Sequence, residues 1–159
     1  MPMDNEAIAA VNHWRGQCLD NFARAERAII AAFSEACIRN MADPPMLHES
    51  AATRTRDLAK ALRTGWPKDP VASRTIALLE TWGLREKQRN ELVHGCFTVK
   101  GGEGNGWSLV NVATEVKKGV AMARRTPITK PEAAAFLEAV ICERKKLGTA
   151  LGQLRGLRT

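Results

Sequence analysis

A long run of apolar residues at helical spacing opens this chain and restricts its fold more than any other feature. Ile8, Val11, Trp14, Cys18, Leu19, Phe22, Ile29, Ile30 and Phe33 advance mostly by three and four residues, the spacing of one buried helix face. The pattern predicts a first helix from about Asp4 to Asn40. Met-Ala-Asp-Pro-Pro at 41–45 ends it, because a proline disfavours helix in the residue before it. Tyrosine is absent and aromatics make up 5% of the chain, so the core must rest on Ala, Leu, Ile and Val. Alanine loses no side-chain entropy in a helix, which tilts the whole composition towards α.

Two more helices follow in the pattern. A polar one covers about Leu47 to Thr64 and carries Arg54, Arg56, Lys60 and Arg63. These are candidate RNA contacts, although a charge run on a helix is more often a solvated face. Gly65-Trp66-Pro67-Lys68-Asp69-Pro70 makes a turn, and a third helix spans about Val71 to His94. Gly95 suits the left-handed position just past a helix end.

The period then changes. Phe97-Thr98-Val99 and Trp107 to Val112 flank Gly-Gly-Glu-Gly-Asn-Gly, which predicts a hairpin with a flexible tip. That glycine cluster lacks a Gly-Lys-Ser/Thr ending and a following helix, so it is not a phosphate loop. Lys117-Lys118-Gly119 turns the chain into a third short strand around Val120 to Arg124. Thr129 and Glu132 have the spacing of a capping box, which starts a last helix from about Lys130 to at least Leu154. The predicted fold class is mainly α: four to five helices with a β-hairpin or three-stranded insertion at about 97–125. At 159 residues, with no internal repeat, one domain covering 1–159 is expected.

Charge and cysteine usage narrow the function. The net charge is +7 and the sequence pI about 9.6, which favours a phosphate-bearing partner such as nucleic acid. Arg124 and Arg125 add to the candidate RNA contacts. The four cysteines, Cys18, Cys37, Cys96 and Cys142, form no Cys-x-x-Cys pair, and His13, His48 and His94 are equally scattered. No metal site and no cofactor are expected. Three of the cysteines fall within helical apolar patterns, where Cys behaves as a small hydrophobe. The N-terminus has neither the basic start nor the apolar run of a secretory signal, and Ala28–Phe33 is too short to span a bilayer. The expected location is a reducing cytoplasm without membrane association.

The end of the third helix carries the chemistry. On a helical wheel Leu79, Trp82, Val93 and Phe97 share a core-facing arc, with Leu78 and Leu92 at its edge. Glu86 and Arg89 project into that same arc, and Asn90 and His94 lie four apart at its other edge. Charge inside a buried stripe is costly unless it is paired or faces a cleft or partner. A guanidinium grips phosphate, and an imidazole ordinarily changes charge near neutral pH. Five residues separate Arg89 from His94, so they diverge by about 140° on one helix. They converge if the arginine sweeps over, or if a second copy of the helix contributes. A structural alternative pairs Arg89 with Glu86 or another acid and has His94 cap the helix C-terminus.

Arg89-Asn90-Glu91-Leu92-Val93-His94 resembles the hallmark of the HEPN superfamily, Arg-x4-6-His with a polar residue after the arginine. The long first helix with Ala-Glu-Arg-Ala-Ile-Ile at 25–30 and the basic closing helix also fit it. The resemblance implies an up-and-down helical bundle that dimerises and joins two motif helices. It also implies a metal-independent endoribonuclease, often a toxin or defence protein, in which Arg89 and His94 form the active site with Asn90 beside them. RNA, a second copy and a cognate antitoxin are the implied partners. Other members of the superfamily are non-catalytic, which implies as alternative a dimeric interaction, regulatory or nucleotide-binding module. The hairpin departs from the minimal bundle. Trp14, Trp66, Trp82 and Trp107 are expected in the core or a dimer seam, since no RNA-stacking pair of aromatics stands out.

Overall fold

A computed structural model describes residues 5–38, 43, 49–103 and 106–156. The element order is α1 (Asn5–Ile38), α2 (Ala51–Gly65), α3 (Pro70–His94), β1 (Cys96–Gly101), β2 (Trp107–Lys117), β3 (Val120–Thr129) and α4 (Lys130–Gly156). The protein is thus mainly helical, with one three-stranded antiparallel sheet after the third helix, in strand order β1-β2-β3. The Pro44-Pro45 break, the start of the second helix at Leu47 and the tip of the glycine loop at 104–105 lie outside the described residues. The chain divides into two compact units: residues 1–20 with 88–139, and residues 21–87 with 140–159.

The second unit is helical. Phe22, Ile29 and Phe33 of α1, Leu58 and Leu62 of α2, Leu79 and Trp82 of α3 and Leu147 and Leu151 of α4 are all buried. Ala25, Ala32, Ala36, Ala59 and Ala72 are buried among them, and small side chains let helix axes approach closely. Phe22 and Trp82 meet in a tilted pair with ring centroids 5.2 Å apart. Ser50 caps α2 by accepting a hydrogen bond from the Thr53 amide at 3.1 Å. The Glu86 carboxylate, 4% exposed, accepts a hydrogen bond from Thr55 Oγ1 at 3.0 Å. Arg85 grips Glu143 through two bonds of 2.9 and 2.6 Å, and this contact raises the arginine's already high pKa.

The first unit packs the start of α1, the end of α3 and the start of α4 with the sheet. Trp107, Leu109, Asn111 and Ala113 alternate along β2 and are buried, so one sheet face is the packed one. Phe97 lies opposite Asn111 and Leu109 opposite Ile128, which fixes the register of three strands on that face. Trp14 anchors the unit: its indole N–H donates to the Ala133 carbonyl at 2.8 Å, and its ring packs against Trp107 and Phe136 at 6.1 and 6.3 Å. β2 and β3 join through a two-residue turn at Lys118 (φ 51°) and Gly119 (φ 78°), the left-handed pair that matches strand twist. β3 extends to Thr129, five residues further than the sequence suggests, and the capping box starts α4 directly from it. The Glu132 carboxylate accepts from the Thr129 amide and hydroxyl at 2.7 Å each, which lowers its pKa.

Several expectations are corrected here. Val93 does not join the buried stripe: it is 37% exposed, and the stripe passes through Leu92 at 4%. Ile30 is exposed at 41%, and Cys142, on an outward position of α4, is exposed as well. Gly95 does not adopt a positive φ. Its requirement is closeness: a Cβ there would sit 1.9 Å from Asn111 Oδ1 and 2.4 Å from the Glu91 carbonyl oxygen. Trp14, Trp82 and Trp107 are buried, as core tryptophans should be, while Trp66 is half-buried.

Candidate functional site

The site belongs to the first unit, where α3 ends against the sheet. Two contacts hold that helix end in place. Arg15, from α1, donates to the carbonyls of Leu92 at 2.7 Å and Val93 at 3.1 Å. These are among the last carbonyls of α3, which lack partners within the helix and carry the negative end of its dipole. Arg15 therefore does the capping that the sequence offered to His94. Its guanidinium also lies 4.7 Å from the centroid of the Phe97 ring, a cation–π contact that joins the helix end to β1. Gly95 then packs on Asn111, whose Nδ2 donates to the Glu91 carbonyl at 3.3 Å while the Gly95 amide donates to the same oxygen at 2.9 Å. Helix, turn and sheet are locked at one point.

On this anchored end Asn90 and His94 are exposed and take no hydrogen bond within the described residues, whereas Arg89 is half-buried and engaged within the chain. Helix geometry separates Arg89 and His94 by roughly 7.5 Å along the axis and about 140° around it. One copy of α3 therefore presents the amide and imidazole on its solvent face and the guanidinium on another. Glu86 stays with Thr55.

The remaining candidate RNA contacts scatter. Arg54 pairs with Glu26 and donates to the Glu49 carbonyl at 2.7 Å, Arg63 pairs with Glu80, and Arg56 lies 3.2 Å from Asp57. Lys60 is exposed. Arg124 sits 3.1 Å from Glu91 Oε1 and 3.4 Å from Glu115 Oε1. Arg125, next along β3, is exposed and points to the opposite sheet face. Four of these six, Arg54, Arg56, Arg63 and Arg124, neutralise neighbouring acids, while Lys60 and Arg125 are exposed.

A cleft of about 290 Å³ opens between the end of α3, β3 and the first turns of α4. Trp14, Leu92, Ile128 and Phe136 supply apolar wall, and Glu91, Arg124 and Glu132 supply charge. Asn111 lines it too, 3% exposed, with its Oδ1 buried and unpaired. Among the described residues no group of three or more His, Cys, Asp or Glu could hold a metal ion, and no helix is long and apolar enough to cross a membrane. Sequence reasoning missed Arg15, Asn111 and the cleft. The partners of Arg15 lie 77 and 78 residues away, and nothing local to Arg15 signals them. Comparison of the chain with protein-family models, curated proteins and solved structures finds no match.

Proposed function

We propose that this protein is a metal-independent endoribonuclease of HEPN type, acting on single-stranded RNA as a homodimer. The observation that carries it is the anchored end of α3, where Asn90 and His94 are exposed and their side chains take no hydrogen bond among the described residues. In the reaction the RNA 2′-hydroxyl attacks the adjacent phosphorus. The O2′–P bond forms, the P–O5′ bond breaks, and a 2′,3′-cyclic phosphate and a 5′-hydroxyl result. His94 of one protomer takes the 2′-hydroxyl proton as general base, and water protonates the departing O5′. Arg89 holds the non-bridging oxygens as charge builds on them, and Asn90 orients the phosphate or the imidazole. The 140° divergence within one helix supports a composite site, in which a second α3 supplies what the first turns away. A role as a toxin or defence component, held in check by an antitoxin, goes with the same resemblance.

A second reading has its own observation. Arg89 is half-buried and engaged, as a structural arginine would be. That favours a non-catalytic HEPN-like module for interaction, regulation or nucleotide binding. Incubation of the purified protein with single-stranded RNA in EDTA separates the two. Cleavage by the wild type that is lost in Arg89→Ala and in His94→Ala supports the nuclease. Intact RNA across a range of sequences, with the dimer present by light scattering, supports the module.

A further inference from the structure

The cleft beside α3 has a lining more specific than its size. It holds two carboxylates and one guanidinium, so a phosphate entering it would meet net negative charge. Leu92, Ile128 and Phe136 offer apolar surface, which suits the faces of a planar ring. At about 290 Å³ it is at the small end of ligand pockets, with room for one ring system and little more.

The polar edge then selects the ring. Arg124 lies 3.1 Å from Glu91 Oε1, so carboxylate and guanidinium stand side by side. A carboxylate has about four lone-pair sites, and this contact uses one of them. The pair can therefore present two acceptors and a donor side by side. Guanine carries the complement on its Watson–Crick edge: the N2 amino donor, the N1–H donor and the O6 acceptor. Uracil presents acceptor, donor, acceptor, and adenine lacks the third group. Cytosine presents the same order as the protein pair and so cannot match it.

We propose that this cleft is a binding site for a guanine base, read by Glu91 and Arg124 and walled by Leu92, Ile128 and Phe136, with sugar and phosphate left at its mouth. The base comes from a single-stranded RNA or from a free guanine nucleotide, and the chemistry of recognition is the same for both. Only the RNA case rests on the nuclease reading, where the cleft would set sequence preference next to the bond cleaved. Glu91 lies one helical turn before His94, which puts the cleft rim next to the imidazole.

The test is titration of the full-length protein with GMP, AMP, CMP and UMP, followed by two-dimensional NMR with the Trp14 indole resonance as a local reporter. GMP should bind at least about tenfold more tightly than the other three, since a site that hydrogen-bonds one base edge rejects an analogue that leaves its groups unpaired. Glu91→Gln replaces an acceptor with a donor facing N1–H and should weaken GMP about tenfold or more and erase the preference. Thr126→Arg, on the cleft wall, should block GMP with a native spectrum, and covers the case in which Glu91→Gln fails to fold. Equal binding of all four nucleotides, absence of GMP binding at millimolar concentration, or GMP binding that both folded variants retain would overturn the proposal. An oligonucleotide with one guanosine and 2′-O-methyl sugars distinguishes the sources. Tighter binding than GMP assigns the cleft to an RNA strand, and weaker binding assigns it to the free nucleotide; both uphold guanine recognition. His94→Ala should bind GMP as the wild type does, so loss of cleavage and loss of the cleft are read separately.

Discussion

Gly95→Ala should destabilise the protein, although alanine normally strengthens a chain at a position without positive φ. The added Cβ would lie 1.9 Å from Asn111 Oδ1, 2.8 Å from its Cγ and 2.4 Å from the Glu91 carbonyl oxygen. Asn111 is 3% exposed, and the Glu91 carbonyl is backbone, so both must shift for the methyl to fit. Forcing a methyl into packed surroundings costs about 1–3 kcal/mol. Displacing Asn111 also breaks its bond to the Glu91 carbonyl, worth about 1 kcal/mol net. The lower chain entropy of unfolded alanine returns about 0.4–1 kcal/mol. The expected loss is therefore about 2–3 kcal/mol. With a urea slope of about 1–3 kcal/mol per molar, the unfolding midpoint should fall by about 1 M or more. Gly148→Ala in α4 is the control: nothing lies within 4 Å of its added Cβ, so it should gain about 0.5–1 kcal/mol. Gly95→Ala/Asn111→Ala should recover part of the loss relative to the sum of the single variants, because one clash is removed and the Glu91 clash stays. A Gly95→Ala midpoint equal to or above wild type would refute the close-packing account of this junction.

Arg15→Ala should cost about 1.5–3 kcal/mol in chemical denaturation, since it strips two charge-assisted bonds from the last carbonyls of α3, and Arg15→Lys should recover only part of it. Glu132 has a lowered pKa because Thr129 donates to it, so its stabilising effect is present above the unfolded carboxylate pKa and disappears as pH falls through the folded value. Glu132→Gln should accordingly lower the melting temperature at neutral pH, with a gap to wild type that closes in acid. Burial pushes the Cys18 thiol up to about 12, whereas Cys96 and Cys142 are exposed. A thiol reagent at pH 8 should label Cys96 and Cys142 in the native protein and Cys18 only after unfolding, with mass spectrometry of peptides as the readout.

Much of the fold was legible because its signals are local. Steps of three and four along α1, the Thr129–Glu132 box and the change of period after His94 each sit within a few residues, and each element stands where they point. Alanine explains what the pattern missed: Ala25, Ala32 and Ala36 complete the buried face of α1, but a wheel drawn from large side chains passes over them. Val93 and Leu92 exchanged roles because the last turn of α3 is placed by Arg15 and Asn111, and neither contact is local in sequence. The glycine at 95 suggests a conformational role from its place after a helix, but its neighbour 16 residues later is the reason for it. The motif residues were found from their chemistry and order. The cleft was invisible, since its walls come from α1, α3, β2, β3 and α4 and only folding collects them.

A composite site requires Arg89 of one chain to work with His94 of another, and a mixing experiment addresses that directly. Arg89→Ala and His94→Ala proteins are each assayed on single-stranded RNA in EDTA, then co-refolded at equal amounts and assayed again. Each variant alone should be inactive. A mixed dimer keeps one site with both residues intact if the site spans two chains, so cleavage should return, with 2′,3′-cyclic phosphate ends on the product. An active wild type, two inactive variants and no recovery in mixed dimers would contradict the composite site.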